Sequence, residues 1–548
     1  MMSRTQPLKA QAGEPAAAPM ARYAMLWRWH FYAALFVMPL LIVLGITGTI
    51  YLYKPQIEAI AYPSQLYVTP EDAPRLPQQT LYDIARDSTP GGVPILTAEI
   101  HNAPDRSAQF TYLDPVEGKS SIFLNPYTGE VLAKMPTLNF NATYWIGLAR
   151  QIHRGLLLGK TGEIIMELAA CWTLIMIGTG VALWWPRRKK GLKQAVIPDV
   201  KKKGRPFWRE IHATMGIVLA LGALFFVTSG LPWTSTWGAQ FKQLVAQVNL
   251  GYPPDPPGAT SARHEGHEGH EGHEGQPAAP TRVQDLPLDK TAWGAGLLTV
   301  PQSAVSAGQT ASAHAHAGHQ DAGSDTDPAH QAGRPVGQDH DAHGAHGAAQ
   351  MDMNGDMSMS GDHNMHAMPA EPVTLDQIMT LAQSSHIPDE YSIALPANRN
   401  GVYSVSYYPG DPTGEKVINV DQYSGKVING VSYNEYGVIA KIISFAVSLH
   451  MGTYFGWVNQ LLCAIIALGL CAMAVTGFVM WWKRRPAGGL GAPRIPDTLP
   501  NMRGWMIGLV VFGLIFPVTG LSMLVVWLLD RWYLARYRRQ NGLAANTV

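Results

Sequence analysis

Five long apolar runs dominate the chain, at about 31–53, 163–185, 213–235, 459–482 and 505–528. Each is long enough to cross a hydrocarbon core, which takes roughly 20 residues as a helix. A soluble fold would have to bury all five in one core, so the runs predict an integral membrane protein with five spanning helices. Hydrophobic residues are 47% of the chain and charged residues only 15%, and apart from Glu163 and Glu167 the charge lies outside the runs. A net charge of +1 gives no field for nucleic acid, and no nucleic-acid partner is expected. The first run lacks a small-residue cleavage site and reads as an uncleaved spanning helix. Cys171, Cys463 and Cys471 all lie within apolar runs, so no disulfide framework is expected outside.

Orientation follows from the connecting segments. Trp184-Trp185-Pro186-Arg187-Arg188-Lys189-Lys190 and Lys201-Lys202-Lys203 bracket the second connection, and Trp481-Trp482-Lys483-Arg484-Arg485 opens the fourth. Basic residues mark the cytoplasmic side and tryptophans the interface. The N-terminus (1–30) and the connections 186–212 and 483–504 are then cytoplasmic, and 54–162 and 236–458 lie outside. That alternation also places the tail 529–548 outside, against its Arg531, Arg536, Arg538 and Arg539; a basic interfacial helix would reconcile the two.

The sequence repeats. Around His153 it reads H-x-G-x-x-x-G, and again around His450; Gly180 and Gly477, and then Trp184 and Trp481, follow at the same spacings. Each of these pairs lies 297 positions apart. The first and third runs match too: His30 precedes Gly48 by 18 residues, and His212 precedes Gly230 by 18. The fifth run carries a related Thr519-Gly520 but no histidine. In the exported segments, 80–84 resembles 374–378, and Tyr127-Thr128-Gly129 resembles Tyr423-Ser424-Gly425 as a turn between alternating strands. The expected fold is membrane α-helical with α+β ectodomains: two copies of a helix–ectodomain–helix unit plus a fifth helix, each ectodomain a small helix with an antiparallel sheet. An insertion of about 250–370 in the second copy is rich in Gly, Ala, His and Asp and too poor in large apolar residues to build a core.

Of 19 histidines, 13 fall between His264 and His366. Four of the other six, His30, His153, His212 and His450, occupy matching places at the ends of the runs. Neutral imidazoles ligate iron, and two from facing helices can clamp a haem inside a bundle. Packing of the copies about a pseudo-two-fold axis would pair His30 with His212 and His153 with His450, one haem near each face; the alternative is that the ligands come from neighbouring helices of one unit. The H-x-G-x-x-x-G glycines would then give room for a macrocycle or for close packing. The plainer alternative is that interfacial imidazoles bond backbone or headgroups only. Glu163, Glu167, Thr179 and Thr476 would tune a cofactor or satisfy one another, the Thr-Gly pairs would relax helix ends, and His101 and His386 read as ordinary ectodomain residues.

The insertion carries a second signal: His264, His267, His270 and His273 in tandem His-Glu-Gly units, then His314, His316, His319, His340, His343 and His346. Met351, Met353, Met357, Met359, His363, Met365, His366 and Met368 follow. Imidazole suits Cu(II) and thioether Cu(I), so the tract reads as a copper or transition-metal buffer, or else as a spacer.

With its Trp-Trp-basic helix ends, its Trp208-to-His212 start and its Tyr-Thr/Ser-Gly turns, the chain resembles the PepSY-associated transmembrane family. These are iron-regulated inner-membrane proteins that include haem-containing ferric-siderophore reductases. The resemblance implies a bacterial inner-membrane location with periplasmic ectodomains, two b-type haems on the four histidines, and reduction of a periplasmic ferric siderophore. Cu(II) is the alternative substrate, and a non-enzymatic metal-binding or sensing protein the rival of another class. No G-x-G-x-x-G opens a βαβ unit, so the electron donor must be external, a quinol or another reductase.

Overall fold

The computed structural model describes residues 17–137, 144–185, 191, 196–251, 281–288, 290–303, 371–388, 390–485, 491 and 502–540. The metal-binding tract expected from His264 to Met368 lies outside them. In chain order the longer helices begin with α1 (Ala17–Leu52), α2 (Lys54–Ala61), α3 (Gln78–Asp87), α4 (Tyr144–Gly155), α5 (Gly159–Trp184) and α6 (Arg205–Gly230). They continue with α7 (Trp237–Gln247), α8 (Leu375–Ser384), α9 (Val438–His450), α10 (Trp457–Trp482), α11 (Arg503–Ile515) and α12 (Pro517–Gln540). Among the described residues, α1, α5, α6 and α10 are long and apolar enough to cross a membrane. Helices satisfy every backbone polar group internally, the condition a hydrocarbon environment imposes on a spanning segment. The four pack in a ring, α1 against α5 and α10, α6 against the same two. Small residues allow the approach: Gly45 faces Ala467 and Cys471, and Gly469 faces Leu219. All three cysteines are free thiols.

The fifth apolar run departs from the expected single span. It breaks at Phe516 (φ −119°, ψ 80°), where Pro517 cannot donate to the preceding turn and its ring excludes helical geometry behind it. α11 and α12 fold back on each other, so that the backbones of Gly513 and Gly520 touch; a straight helix would hold them about 10 Å apart. The turn lies at the ectodomain end of the bundle, with Phe516 against Trp237 (ring centroids 5.0 Å). α12 then returns past Trp172, whose indole donates to Ser522 at 3.0 Å, to the opposite end. There Asp530 accepts from Arg28 and from the Tyr32 hydroxyl, the latter at 2.6 Å. Arg484 covers the Trp27 ring at this same end. The tail after Asp530 therefore emerges with the basic connections and not beside the ectodomain. The return of α12 removes the conflict between its arginines and the expected alternation, and no interfacial helix on the far side is required.

The two expected ectodomain modules form one antiparallel eight-stranded sheet. Its strands are β1 (Ile95–His101), β2 (Ala108–Asp114), β3 (Gly118–Leu124), β4 (Val131–Pro136), β5 (Glu390–Ala394), β6 (Val402–Tyr407), β7 (Lys416–Asp421) and β8 (Val427–Ser432). The order is β4-β3-β2-β1-β5-β6-β7-β8, two four-stranded meanders joined edge to edge. At the seam Thr97 stands opposite Ala394, and Glu99 opposite Ser392, whose hydroxyl donates to the Glu99 carboxylate. Joining the halves covers two strand edges that would otherwise be open to foreign pairing. α3 and α8 lie together on one face and bury Leu81, Leu375 and Ile378 against Phe110, Ile122, Ile393 and Val405. Each helix caps the other: the Asp376 carboxylate accepts from the N–H groups of Gln78 and Gln79, and the Gln79 side-chain oxygen accepts from Leu375 N–H. The other face packs on α7, α9 and the segment around Trp293.

The ends of the 304–371 segment are held together. Ser303 Oγ accepts from Gln422 N–H at 2.9 Å, and Val373 N–H donates to Gln422 O at 2.8 Å. One residue of the β7–β8 turn thus fixes both the departure and the return of the chain.

Candidate functional site: paired histidines at the two ends of the bundle

Each of the four repeated histidines meets a Thr-Gly or Ser-Gly pair on a neighbouring helix. From α1, His30 Nδ1 lies 3.0 Å from Thr179 Oγ1 on α5 and 3.1 Å from Met176 O. At the end of α4, His153 Nδ1 lies 3.1 Å from Thr47 Oγ1 on α1. The second copy repeats this, with His212 on α6 2.9 Å from Thr476 Oγ1 on α10, and His450 at the end of α9 2.7 Å from Ser229 Oγ on α6.

The neighbouring carbonyls assign the proton on each ring to Nδ1. A hydroxyl has one hydrogen to give, and here it goes back along its own helix. Thr179 donates to Ile175 O, Thr47 to Val43 O, Thr476 to Met473 O and Ser229 to Phe225 O, at 2.7–2.9 Å. The hydroxyl oxygen is left as acceptor, so Nδ1 carries the hydrogen; for His30 the Met176 carbonyl demands the same. Every ring consequently presents Nε2 as a bare lone pair, the form in which imidazole binds a metal, with Nδ1–H oriented from behind.

The glycine of each pair lies flat against the ring. A Cβ added at Gly48 would come 3.1 Å from His153 Cε1, at Gly180 3.2 Å from His30, at Gly477 3.4 Å from His212 and at Gly230 3.9 Å from His450. The expectation that the Thr-Gly pairs merely relax helix ends is thereby corrected: they seat the imidazoles. Of the H-x-G-x-x-x-G glycines, Gly155 packs closely against Gly162, while Gly159 and Gly456 serve the chain reversal with left-handed φ (55° and 59°). In the first copy Leu156 and Leu157 are also left-handed (φ 52° and 61°), a strain of roughly 1–2 kcal/mol per residue directly after His153.

Across the copies the rings converge in two pairs. His30 and His212 stand 6.5 Å apart between centroids with their planes at 81°. With metal–imidazole bonds of about 2 Å and the ring centre roughly 1 Å behind each nitrogen, two rings on one metal sit roughly 6 Å apart. His153 and His450 lie at the other end, each against the hydroxyl-Gly pair of a neighbouring helix, and the Phe226 ring is 4.8 Å from the His450 ring and tilted 35° to it. None of the four rings is fully buried. The two ends are separated by about 18 helical residues, roughly 27 Å.

The remaining polar residues have structural partners. Glu167 accepts from the N–H groups of Thr236 and Trp237 at the start of α7, and Glu163 pairs with Lys160. His101 ends β1 with Nδ1 buried and unpartnered, pushed down to about 4 by burial and by Arg106 and Arg75. His386 takes a left-handed conformation (φ 58°) after α8. Thr47 and Ser229 are the site residues that sequence reasoning missed; their signal was the recurrence of hydroxyl-Gly 18 residues after His30 and His212. Among the described residues no group of three or more His, Cys, Asp and Glu could hold a bare metal ion, so the donor set is one of pairs. Such pairs, with bare Nε2 and a glycine beside each ring, suit a planar tetrapyrrole that supplies its own equatorial ligands.

No curated protein matches the chain. The model of the PepSY-associated TM region matches residues 27–484, which takes in all four spanning helices, the sheet and both histidine pairs, and the chain belongs to that family.

Proposed function

We propose that the protein is a bacterial inner-membrane electron carrier built from two copies of one unit, with haem b between His30 and His212 near the cytoplasmic face and between His153 and His450 near the periplasmic face. Bound there, haem supplies one-electron chemistry. The observation that carries the reading is that His30 and His212, from the two copies, meet at 6.5 Å between ring centroids, each with Nδ1 against a threonine hydroxyl of a neighbouring helix. Thr47, Thr179, Ser229 and Thr476 would hold the rings in that orientation. The bundle would keep water from both centres, and the basic end, with Arg484 and the Arg28–Asp530 pair, would face the cytoplasm and an external donor, a quinol or a reductase. The substrate at the outer end would be a ferric siderophore, because reduction to Fe(II) weakens the hold of hard oxygen ligands.

Expression with haem supplied, followed by purification, tests this. A Soret band that shifts on reduction with dithionite and corresponds to about two haems per chain is expected. A colourless preparation would leave the non-enzymatic metal-binding or sensing reading in its place.

Cu(II) as substrate, fed by the insertion, is the second reading. It is favoured by the anchoring of Ser303 and Val373 at Gln422, which ties the tract to the ectodomain. Because both ends meet at one residue, replacing 304–371 by a short Gly-Ser linker should leave the thermal midpoint and haem content unchanged. Copper bound per chain should fall; equal copper binding with and without the segment would discard the feeder role.

A further inference from the structure

His153 and His450 stand at the ends of equivalent helices, α4 and α9, but the chain holds them unequally. In the second copy two side chains of α10 reach the carbonyl of Leu449, the residue before His450. Asn459 Nδ2 donates to Leu449 O at 2.9 Å and Cys463 Sγ donates to it at 3.2 Å. Both residues are buried, Asn459 6% and Cys463 4% exposed. The reversed Asn459 amide would set its oxygen against the Leu449 oxygen, so the carbonyl fixes which way the amide points. One residue earlier, Ser448 O accepts from the backbone N–H and the hydroxyl of Thr453, at 3.0 and 3.2 Å. The last turn of α9 is thus tied through two consecutive carbonyls, of the kind a helix end leaves without intrahelical partners. In the turn that follows, the left-handed positions Gly452 and Gly456 (φ 71° and 59°) are both glycine, which takes them without strain.

The first copy lacks these ties. The residues 297 positions before Asn459 and Cys463 are Gly162 and Met166, and neither has a side-chain hydrogen to donate. Gly162 touches the backbone of Gly155, a contact after His153 and not a bond to the carbonyl before it. That carbonyl, Ile152 O, accepts from the N–H of Leu156 at 3.0 Å. Leu156 and Leu157 are the two left-handed leucines (φ 52° and 61°), so the chain leaves His153 through a backbone that L side chains adopt only under strain.

We propose that Asn459, with Cys463, is a positioning residue for His450, and that His153 is the member of the outer pair that lets go. His450 would be the permanent ligand at the outer end. Relaxation of the strained turn after His153 would withdraw that ring and leave a place for a small neutral donor such as carbon monoxide. The inner pair has no such hinge, because His30 and His212 lie inside α1 and α6 and not at an exit from the helix. The consequence at the haem rests on the electron-transfer reading; the unequal holding of the two helix ends does not.

Full-length protein without haem gives the first test. Replacing Asn459 and Cys463 together by alanine should lower hydrogen-exchange protection of residues 438–450 roughly 10-fold and leave that of 144–155 unchanged. Cys463→Ser, which keeps a donor, should match the parent. An equal change in both segments, or none in 438–450, would overturn the clamp. In haem-loaded protein His153→Ala should keep about two haems per chain, the outer one high-spin, whereas His450→Ala should keep about one. The reduced parent should bind carbon monoxide at the outer centre alone, and Asn459→Ala should shift the electron paramagnetic resonance of that centre and not of the inner one. Equal haem content in the two histidine variants, a greater loss from His153→Ala, or a reduced parent that binds no carbon monoxide would defeat the assignment of His153 as the yielding ligand. Protein that takes up no haem yet shows the α9 response would sink the electron-transfer reading and support the clamp.

Discussion

Replacing His153 and His450 together by alanine should reduce the haem bound per chain from about two to about one and leave a low-spin spectrum from the inner pair. Each outer ring is seated by a different helix, His153 by Thr47 on α1 and His450 by Ser229 on α6. Removing both takes away every axial donor at that end and none at the other. His30→Ala with His212→Ala should give the complementary loss. Pyridine haemochrome content and electron paramagnetic resonance of the two double variants read the outcome. If both bind two haems, or if either loses everything while its thermal midpoint is unchanged, the assignment of one centre to each pair fails.

Asp530→Ala should be the most destabilising single change outside the histidine pairs. Arg28 has only 4% of its side chain exposed and Asp530 20%, and the carboxylate also accepts from Tyr32. Removing one partner of a buried ion pair leaves the other charge uncompensated, at a cost of about 3–5 kcal/mol. Where each kcal/mol is worth about 2–4 °C, the midpoint in detergent should fall by roughly 10 °C. Asp530→Asn, which keeps one acceptor oxygen near Tyr32 and Arg28, should fall by less. A midpoint for Asp530→Ala within about a degree of the parent would show that α12 is not fastened through this pair.

Much of this architecture was legible in the chain. Four of the apolar runs became spanning helices because hydropathy over twenty residues is what a bilayer selects. The fifth did not, because Pro517 falls near its middle, and a sum over side chains is blind to a missing backbone N–H. The basic tail was the visible clue, since Arg531 and Arg536 fitted poorly on the outer side. Strands and turns of the ectodomain could be located from alternation and from Tyr-Thr/Ser-Gly, but their union into one sheet could not. That union depends on β1 meeting β5 across nearly 300 positions, a contact with no local signature. The histidines stood out through equal spacing. Thr179 and Thr476 stood out as polar residues within apolar runs, but Thr47 and Ser229 did not, because only the packing of α4 on α1 and of α9 on α6 places them beside His153 and His450.

The β1–β5 seam has an evolutionary corollary. The corresponding strands β1 and β5 of the two halves pair antiparallel across the seam, so a chain comprising one half alone would carry a self-complementary edge. Two identical copies of it could assemble as an isologous dimer and rebuild the sheet, the ring of helices and both histidine pairs. Covalent linkage of such an ancestor would release the halves from identity. Serine could then replace threonine at 229, two leucines could take up a strained turn in one half only, and a long graft could enter the other without a mirror image.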